Sequence, residues 1–146
     1  MNLTLNFDMD GTIADLYGVE NWLEMLINGD ETPYAIAKPL INLSLLARLL
    51  NRCIAKGIKV NVISWLAKNS NSEYDEKVTN AKIKWLKKHL PSVKFNDINI
   101  VAYGTPKSLF SNEWGILFDD EERNRTEWVG TAYNEKNIFT VLKMLA

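Results

Sequence analysis

A single cysteine stands in 146 residues, so neither a disulfide framework nor a cysteine-based zinc site is available to this chain. Cys53 falls in a run of helical periodicity with Leu45, Leu46, Leu49 and Leu50, which reads as a small buried core residue. Charge of one sign is not in excess either. Seventeen basic residues against 18 acidic ones leave a formal net charge of -1, so no global field draws the chain to nucleic acid or anionic lipid, and any anionic ligand has to be held locally. Long hydrophobic runs are missing as well: no apolar stretch approaches the roughly 20 residues that span a bilayer. The amino terminus enters a short strand-like segment without the basic-then-apolar pattern of a leader, and a cytoplasmic location is the resulting expectation.

What the chain does have is ordinary globular composition, with 47% hydrophobic and 24% charged residues, which argues against disorder and for one folded domain over residues 1–146. Leu3 to Phe7 alternates apolar and polar and then meets acid, as a strand opening into a glycine-containing loop does. Residues 15–38 hold a short helical pattern (Tyr17, Val19, Trp22, Leu23, Leu26) broken by "NGDETP", a small insertion. Apolar residues from Ile41 to Ile54 recur at three and four residue steps, and Gly57 marks the end of that helix near Lys56. "IKVNVIS" (58–64) is a β-branched strand ending at Ser64.

Serines in "NSNSEYDEK" (69–77) offer caps for a helix whose apolar face is Val78, Ala81, Ile83, Trp85 and Leu86. The basic run Lys82, Lys84, Lys87 and Lys88 is expected to cover that helix's solvated side, and His89 to be a cation at its end. Residues 98–104 read as a third strand and 115–120 as a fourth, "KSLF" as a helical turn, and "NIFTVLKML" as a closing helix. Strands alternating with helices predict an α/β fold, a central mostly parallel sheet between two helical layers in a Rossmann-like arrangement. In such sheets ligands bind at the carboxyl ends of the strands.

That edge collects the chemistry. Asp8 and Asp10, Ser64, and Asp119 and Asp120 follow three predicted strands, and Lys107 lies in a loop after the remaining one. Carboxylates converging at one edge repel unless a hard cation sits among them, and Mg²⁺ with oxygen ligands is the natural one. A lysine and a hydroxyl beside such a cation are donors for an anion, and phosphoryl transfer is the reaction that uses all these parts.

"DMDGT" (8–12), the strand ending in Ser64, Lys107 and "LFDD" (117–120) resemble, in order, the four motifs of the haloacid dehalogenase superfamily. Within it the chain looks most like the 5'(3')-deoxyribonucleotidase-like phosphatases, whose first motif is followed by an Ala-Asp pair as at Ala14 and Asp15; Thr12 and the short insertion depart from that group. The resemblance implies that Asp8 is the nucleophile forming an aspartyl-phosphate, with Asp10 as acid and then base. It implies Mg²⁺ held by the Asp8 carboxylate, the Asp10 backbone carbonyl and Asp119, with Asp120 in or next to the coordination sphere. It further implies that Ser64 bonds a phosphate oxygen and Lys107 neutralises the phosphate.

Gly11 and Thr12 are expected to turn backbone amides towards the anion, and Trp65 to stack on a nucleobase, line the entrance or pack in the core. Arg123 and Arg125 are expected in an exposed loop. The insertion at about 15–38 reads as a minimal cap after the first strand, with Trp22, Leu23, Met25 and Leu26 either under the cap or on the core. The expected substrate is a small phosphorylated molecule, a nucleotide or a nucleic-acid end phosphate, with another phosphorylated metabolite as the alternative. Carbon-halogen cleavage is disfavoured because Asp10 is present, a membrane ATPase because no span is, and a binding module without catalysis because every motif residue is retained.

Overall fold

The computed structural model describes residues 2–146. In chain order the strands are β1 (Thr4–Phe7), β2 (Ala14–Asp15), β3 (Lys38–Pro39), β4 (Lys59–Trp65), β5 (Asp97–Val101), β6 (Gly115–Phe118) and β7 (Thr131–Tyr133). The helices are α1 (Trp22–Ile27), α2 (Thr32–Ile36), α3 (Leu43–Ala55), α4 (Ser72–His89), α5 (Glu122–Glu127) and α6 (Ile138–Leu145), with 3-10 turns at Lys107–Phe110 and Glu135–Asn137.

Five of the strands form one sheet, ordered β5-β4-β1-β6-β7 and parallel throughout. β1 lies in the middle because it is flanked on one side by the strand that follows the α3 crossover and on the other by the later strand β6. The strand order therefore reverses at β1, and the carboxyl ends of β1, β4 and β6 surround the crevice that such a reversal opens. The expected α/β architecture, a mostly parallel sheet flanked by helices, is what forms.

Side-chain alternation along the strands sorts the two faces. Leu5 and Phe7 of β1 join Val60 and Val62 of β4 and Phe118 of β6 on one face, packed with Leu46, Leu50 and Cys53 of α3 and Ile138, Val141 and Leu142 of α6. The Phe7 and Phe118 rings stack at 4.9 Å. Cys53 is fully buried there, as its helical register requires. Ile63 and Leu117 point to the opposite face and pack with Trp128, whose indole N–H donates to the Gly115 carbonyl at 2.9 Å.

Several local expectations differ from the outcome. The sheet has a fifth strand, β7, which at three residues is too short for alternation to register and exists through its pairing with β6. β5 stops at Val101 rather than running to residue 104, because the chain turns at Ala102, where the Thr105 amide donates to the Ala102 carbonyl at 3.0 Å. α4 is capped by Asn71, not by a serine: its side-chain oxygen accepts from the Tyr74 amide at 2.9 Å. α2 begins inside the "NGDETP" break, since proline is tolerated in a first helical turn where its missing N–H has no partner to lose. Arg123 and Arg125 stand on the short helix α5 instead of in a loop. Among the described residues no helix is long and apolar enough to cross a membrane.

Candidate active site

β1 delivers Asp8 to the crevice, and its amide donates to the Phe118 carbonyl at 3.0 Å, so the first acid is held in line with the sheet. The next residues wrap tightly. The amides of Thr12, Ile13 and Ala14 all converge on the Met9 carbonyl at 2.9–3.1 Å, and the Gly11 amide donates to the Ala14 carbonyl at 2.9 Å. The Gly11 and Thr12 amides, expected to face an anion, are thus spent inside the loop that fixes Asp8 and Asp10. Gly11 has a positive φ of 82°, and a Cβ there would run into the Asp120 carboxylate. Thr12 is fully buried. Its hydroxyl lies 2.9 Å from Asp8 Oδ2 and 3.2 Å from Asp120 Oδ1, and accepts from the Asp120 amide at 3.2 Å, so its part in the site is to order carboxylates.

β6 delivers Asp119 and Asp120. The Asp119 amide donates to the Tyr133 carbonyl at 3.1 Å, extending the pairing with β7 beyond the strand. The fully buried Asp119 carboxylate accepts from Lys107 Nζ at 2.7 Å, the Glu121 amide at 2.9 Å and Asn124 Nδ2 at 3.1 Å. Lys107, buried at the start of its 3-10 turn, also donates to Asp8 Oδ1 at 2.8 Å. The two carboxylates beside it outweigh burial and hold its ammonium above the ordinary lysine range. Two of its three N–H groups are engaged by protein, and Lys107 lines the crevice with a third to spare.

Burial and the nearby Asp8 charge push Asp119 up to about 6 against the opposing pull of Lys107. Asp120 is pushed up to about 8, by burial and by a carboxyl–carboxyl hydrogen bond with Asp8. Asp10 is also raised: burial and Asp8 outweigh the Lys82 charge beside it. Acids pressed together in this way hold either a proton or a cation. Asp8, Asp119 and Asp120 each offer a carboxylate oxygen within 4.8 Å of the others, an all-oxygen donor set that fits a hard divalent ion such as Mg²⁺.

Lys82 overturns its expectation. Lys84, Lys87 and Lys88 are exposed on α4, whereas Lys82 is buried. Its ammonium donates to Asp10 Oδ2 at 2.9 Å, Ser64 Oγ at 2.6 Å and the Trp65 carbonyl at 2.6 Å, and it lies 4.9 Å from the centroid of the Tyr34 ring. The signal was present in the spacing: Lys82 stands four residues after Val78 and three and four before Trp85 and Leu86, within the inward stripe. Ser64 is fully buried behind this lysine. Asn124, another residue that no motif marked, reaches Asp119 only because α5 turns it inward. Arg125 donates to the Asp119 carbonyl at 3.0 Å, while Arg123 pairs with Glu127 at the surface. His89 is no free cation; its ring sits 4.5 Å from that of Trp85, and burial, then Lys88, lower its pKa.

Above the acids opens a cavity of about 510 Å³ lined by Asp8, Asp10, Lys107, Asp119 and Asp120 at its floor. Its walls carry aromatic and apolar side chains beside the polar Lys68, Asn69, Glu121 and Asn124. Trp65, held by an indole N–H bond to the Thr105 carbonyl at 2.9 Å, pairs with Tyr103 at 5.1 Å, and Tyr17 pairs edge-on with Trp22 at 5.0 Å. Trp65 therefore lines the entrance rather than the core. α1 buries none of its residues completely: Trp22 and Leu26 lean on a satellite cluster of Leu16, Tyr34, Ala67, Tyr74, Val78 and Ala81, while Leu23 and Ile27 stay exposed at the cavity.

Comparison with solved structures bears on the fold. D,D-heptose 1,7-bisphosphate phosphatase from Burkholderia thailandensis superposes with a TM-score of 0.52 at 16% sequence identity, over 86% of this chain and 70% of that one. At that identity the likeness is one of architecture, and it agrees with the haloacid dehalogenase-like fold expected from the motifs. No family model matches the sequence, and no curated protein matches it.

Proposed function

We propose that this chain is a Mg²⁺-dependent phosphomonoester hydrolase that works through an aspartyl-phosphate on Asp8 and acts on nucleotides. The observation that carries the reading is the contact of Lys107 with both Asp8 and Asp119 at the sheet's switch point, with Asp120 and Asp10 beside them.

A carboxylate nucleophile approaches a phosphate dianion only where positive charge offsets the repulsion. Lys107 supplies part of it. Asp8 and Asp119, with Asp120 and the Asp10 backbone carbonyl alongside, would hold Mg²⁺, which would supply the rest of the positive charge and polarise the phosphoryl oxygens. Asp8 forms a bond to phosphorus as the ester P–O bond breaks, and the departing oxygen takes a proton from the Asp10 carboxyl. Water then attacks the aspartyl-phosphate, giving its proton back to Asp10, and phosphate leaves as the acyl P–O bond cleaves. A carboxyl held above the ordinary range suits both halves of that cycle.

The cavity walls support a nucleotide. Its volume of about 510 Å³ is of small-molecule size, and four aromatic rings, Trp65 paired with Tyr103 and Tyr17 paired with Trp22, are among its lining. Stacking of a base on such rings contributes about 1–3 kcal/mol, which a sugar phosphate cannot draw on. Residues 15–38, with α1 and α2, act in this reading as a small cap forming one wall of a single-domain enzyme. Asp8→Asn is expected to abolish Mg²⁺-dependent hydrolysis of 4-nitrophenyl phosphate, and turnover surviving in that variant refutes the mechanism. A panel of 5' and 3' nucleotides, sugar phosphates and phosphorylated oligonucleotides then separates the substrates, and a preference for sugar phosphates removes the nucleotide assignment.

A further inference from the structure

Lys82 belongs to none of the motifs, yet it is the most completely surrounded cation in the site. Its three N–H groups are matched by three acceptors, Asp10 Oδ2, Ser64 Oγ and the Trp65 carbonyl, and an ammonium has no fourth donor. It is absent from the cavity lining, which includes Lys107. The two lysines therefore have different capacities: Lys107 keeps one N–H for a substrate, and Lys82 keeps none.

Asp10 is gripped on one side only. Oδ2 receives the Lys82 bond, and no described residue donates to Oδ1, although Asp10 lines the cavity. From this geometry, and resting on the phosphatase reading above, we infer that Lys82 is a positioning residue for proton transfer: it anchors Oδ2 of Asp10 so that Oδ1 faces the leaving oxygen and later the attacking water. The anchor is itself rigid. Ser64 and Trp65 belong to β4 in the sheet's interior, and the Tyr34 ring closes over the ammonium from α2, so rotation of the Asp10 carboxyl is opposed by the sheet, by α4 and by the cap together. The Lys82 proton inventory does not change during turnover; the proton moved is the one on Asp10 Oδ1, from carboxyl to leaving oxygen and back from water.

A lysine that orients the acid matters most where the leaving group needs that acid. An alkyl alkoxide departs only with a proton, whereas 4-nitrophenolate departs without one. The test compares kcat/KM, which reports the step that phosphorylates Asp8, for 4-nitrophenyl phosphate and for an alkyl phosphate with Mg²⁺ present. Lys82→Met is expected to lower the alkyl ester value about 100-fold and the nitrophenyl value less than about threefold, in line with the range for a general acid. Equal losses for the two esters, or none, overturn the inference and leave the phosphatase reading intact; an unmodified protein that hydrolyses neither ester overturns both.

Because Lys82→Met strands a mostly buried carboxylate and can unfold the chain, a second comparison sets Asp10→Asn against the double variant Asp10→Asn/Lys82→Met, in which both members of the ion pair are removed and neither charge is left unpaired. If Lys82 acts through Asp10, the two variants hydrolyse 4-nitrophenyl phosphate within about threefold of each other. A further large loss in the double variant means that Lys82 reaches the phosphate itself, and refutes the positioning role.

Discussion

Removing and restoring Mg²⁺ across a pH series interrogates the acidic cluster directly. Asp120 sits at about 8 and Asp119 at about 6 in the folded chain without metal, above the roughly 3.9 of an unfolded aspartate. A raised folded pKa means that the native state binds protons more tightly than the unfolded one, so the metal-free protein loses stability as pH climbs from about 4 towards about 8. Mg²⁺ bound by this cluster would act in the opposite sense, since it would have to displace the Asp120 proton. Its apparent dissociation constant is then multiplied by a factor of about 2 at pH 8, about 11 at pH 7 and about 101 at pH 6. At a Mg²⁺ concentration 100 times the apparent constant at pH 8, the linkage relation gives about 2.7 kcal/mol of stabilisation at pH 8, about 1.7 at pH 7 and about 0.6 at pH 6. With about 3 °C of Tm per kcal/mol in a chain of this size, the Mg²⁺-minus-EDTA shift should be about 8, 5 and 2 °C. Asp119 steepens the fall at the acid end. Thermal unfolding followed by circular dichroism measures it. A shift of equal size at pH 6 and pH 8, or none at pH 8, refutes the assignment of Asp8, Asp119 and Asp120 as the metal's ligands.

Trp65→Ala removes one flat wall of the cavity while leaving the acids in place, and should raise KM for a nucleoside monophosphate about tenfold, the equivalent of about 1.4 kcal/mol of stacking. The same variant should leave KM for a small alkyl phosphate within about twofold. Gly11→Ala forces a side chain into left-handed backbone and against Asp120; it should weaken Mg²⁺-dependent stabilisation and cost about 1–2 kcal/mol of fold stability in denaturant titration. Leu50→Ala empties a fully buried position between α3 and the sheet and should cost about 2–5 kcal/mol, read as a lower denaturant midpoint with an unchanged slope.

How much of this was legible before folding depends on the range of the interaction involved. "DMDGT" carries its own geometry: the turn from Met9 to Ala14 closes through local amides, so the motif that names the site also builds it. Val60, Val62 and Ile63 announce β4, and Leu46, Leu49, Leu50 and Cys53 announce the inner face of α3, because period two and period 3.6 are local properties of strand and helix. β7 had no such signal. Three residues have no period, and the strand exists because β6 offers it an edge.

Lys82 marks the same boundary inside the site. A run of lysines on a helix is ordinarily a solvated face, and three of the four obey that rule. The fourth is buried because β4 and the loop after β1, whose contributing residues lie 17, 18 and 72 positions away in the chain, bring a carbonyl, a hydroxyl and a carboxylate to one point. Asn124 reaches Asp119 for a related reason, through a helix that turns inward after the fourth motif. The amino-acid sequence by itself determined the parallel α/β sheet and the order of the acids along its edge, since those follow from periodicity and from residues within one turn of each other, while Asp8 stood out as a nucleophile candidate through the motif resemblance alone. Tertiary structure alone decided which lysine lines the cavity with a donor to spare and which spends all three on Asp10, Ser64 and Trp65, because the number of donors an ammonium has left is set by neighbours that only the completed fold assembles.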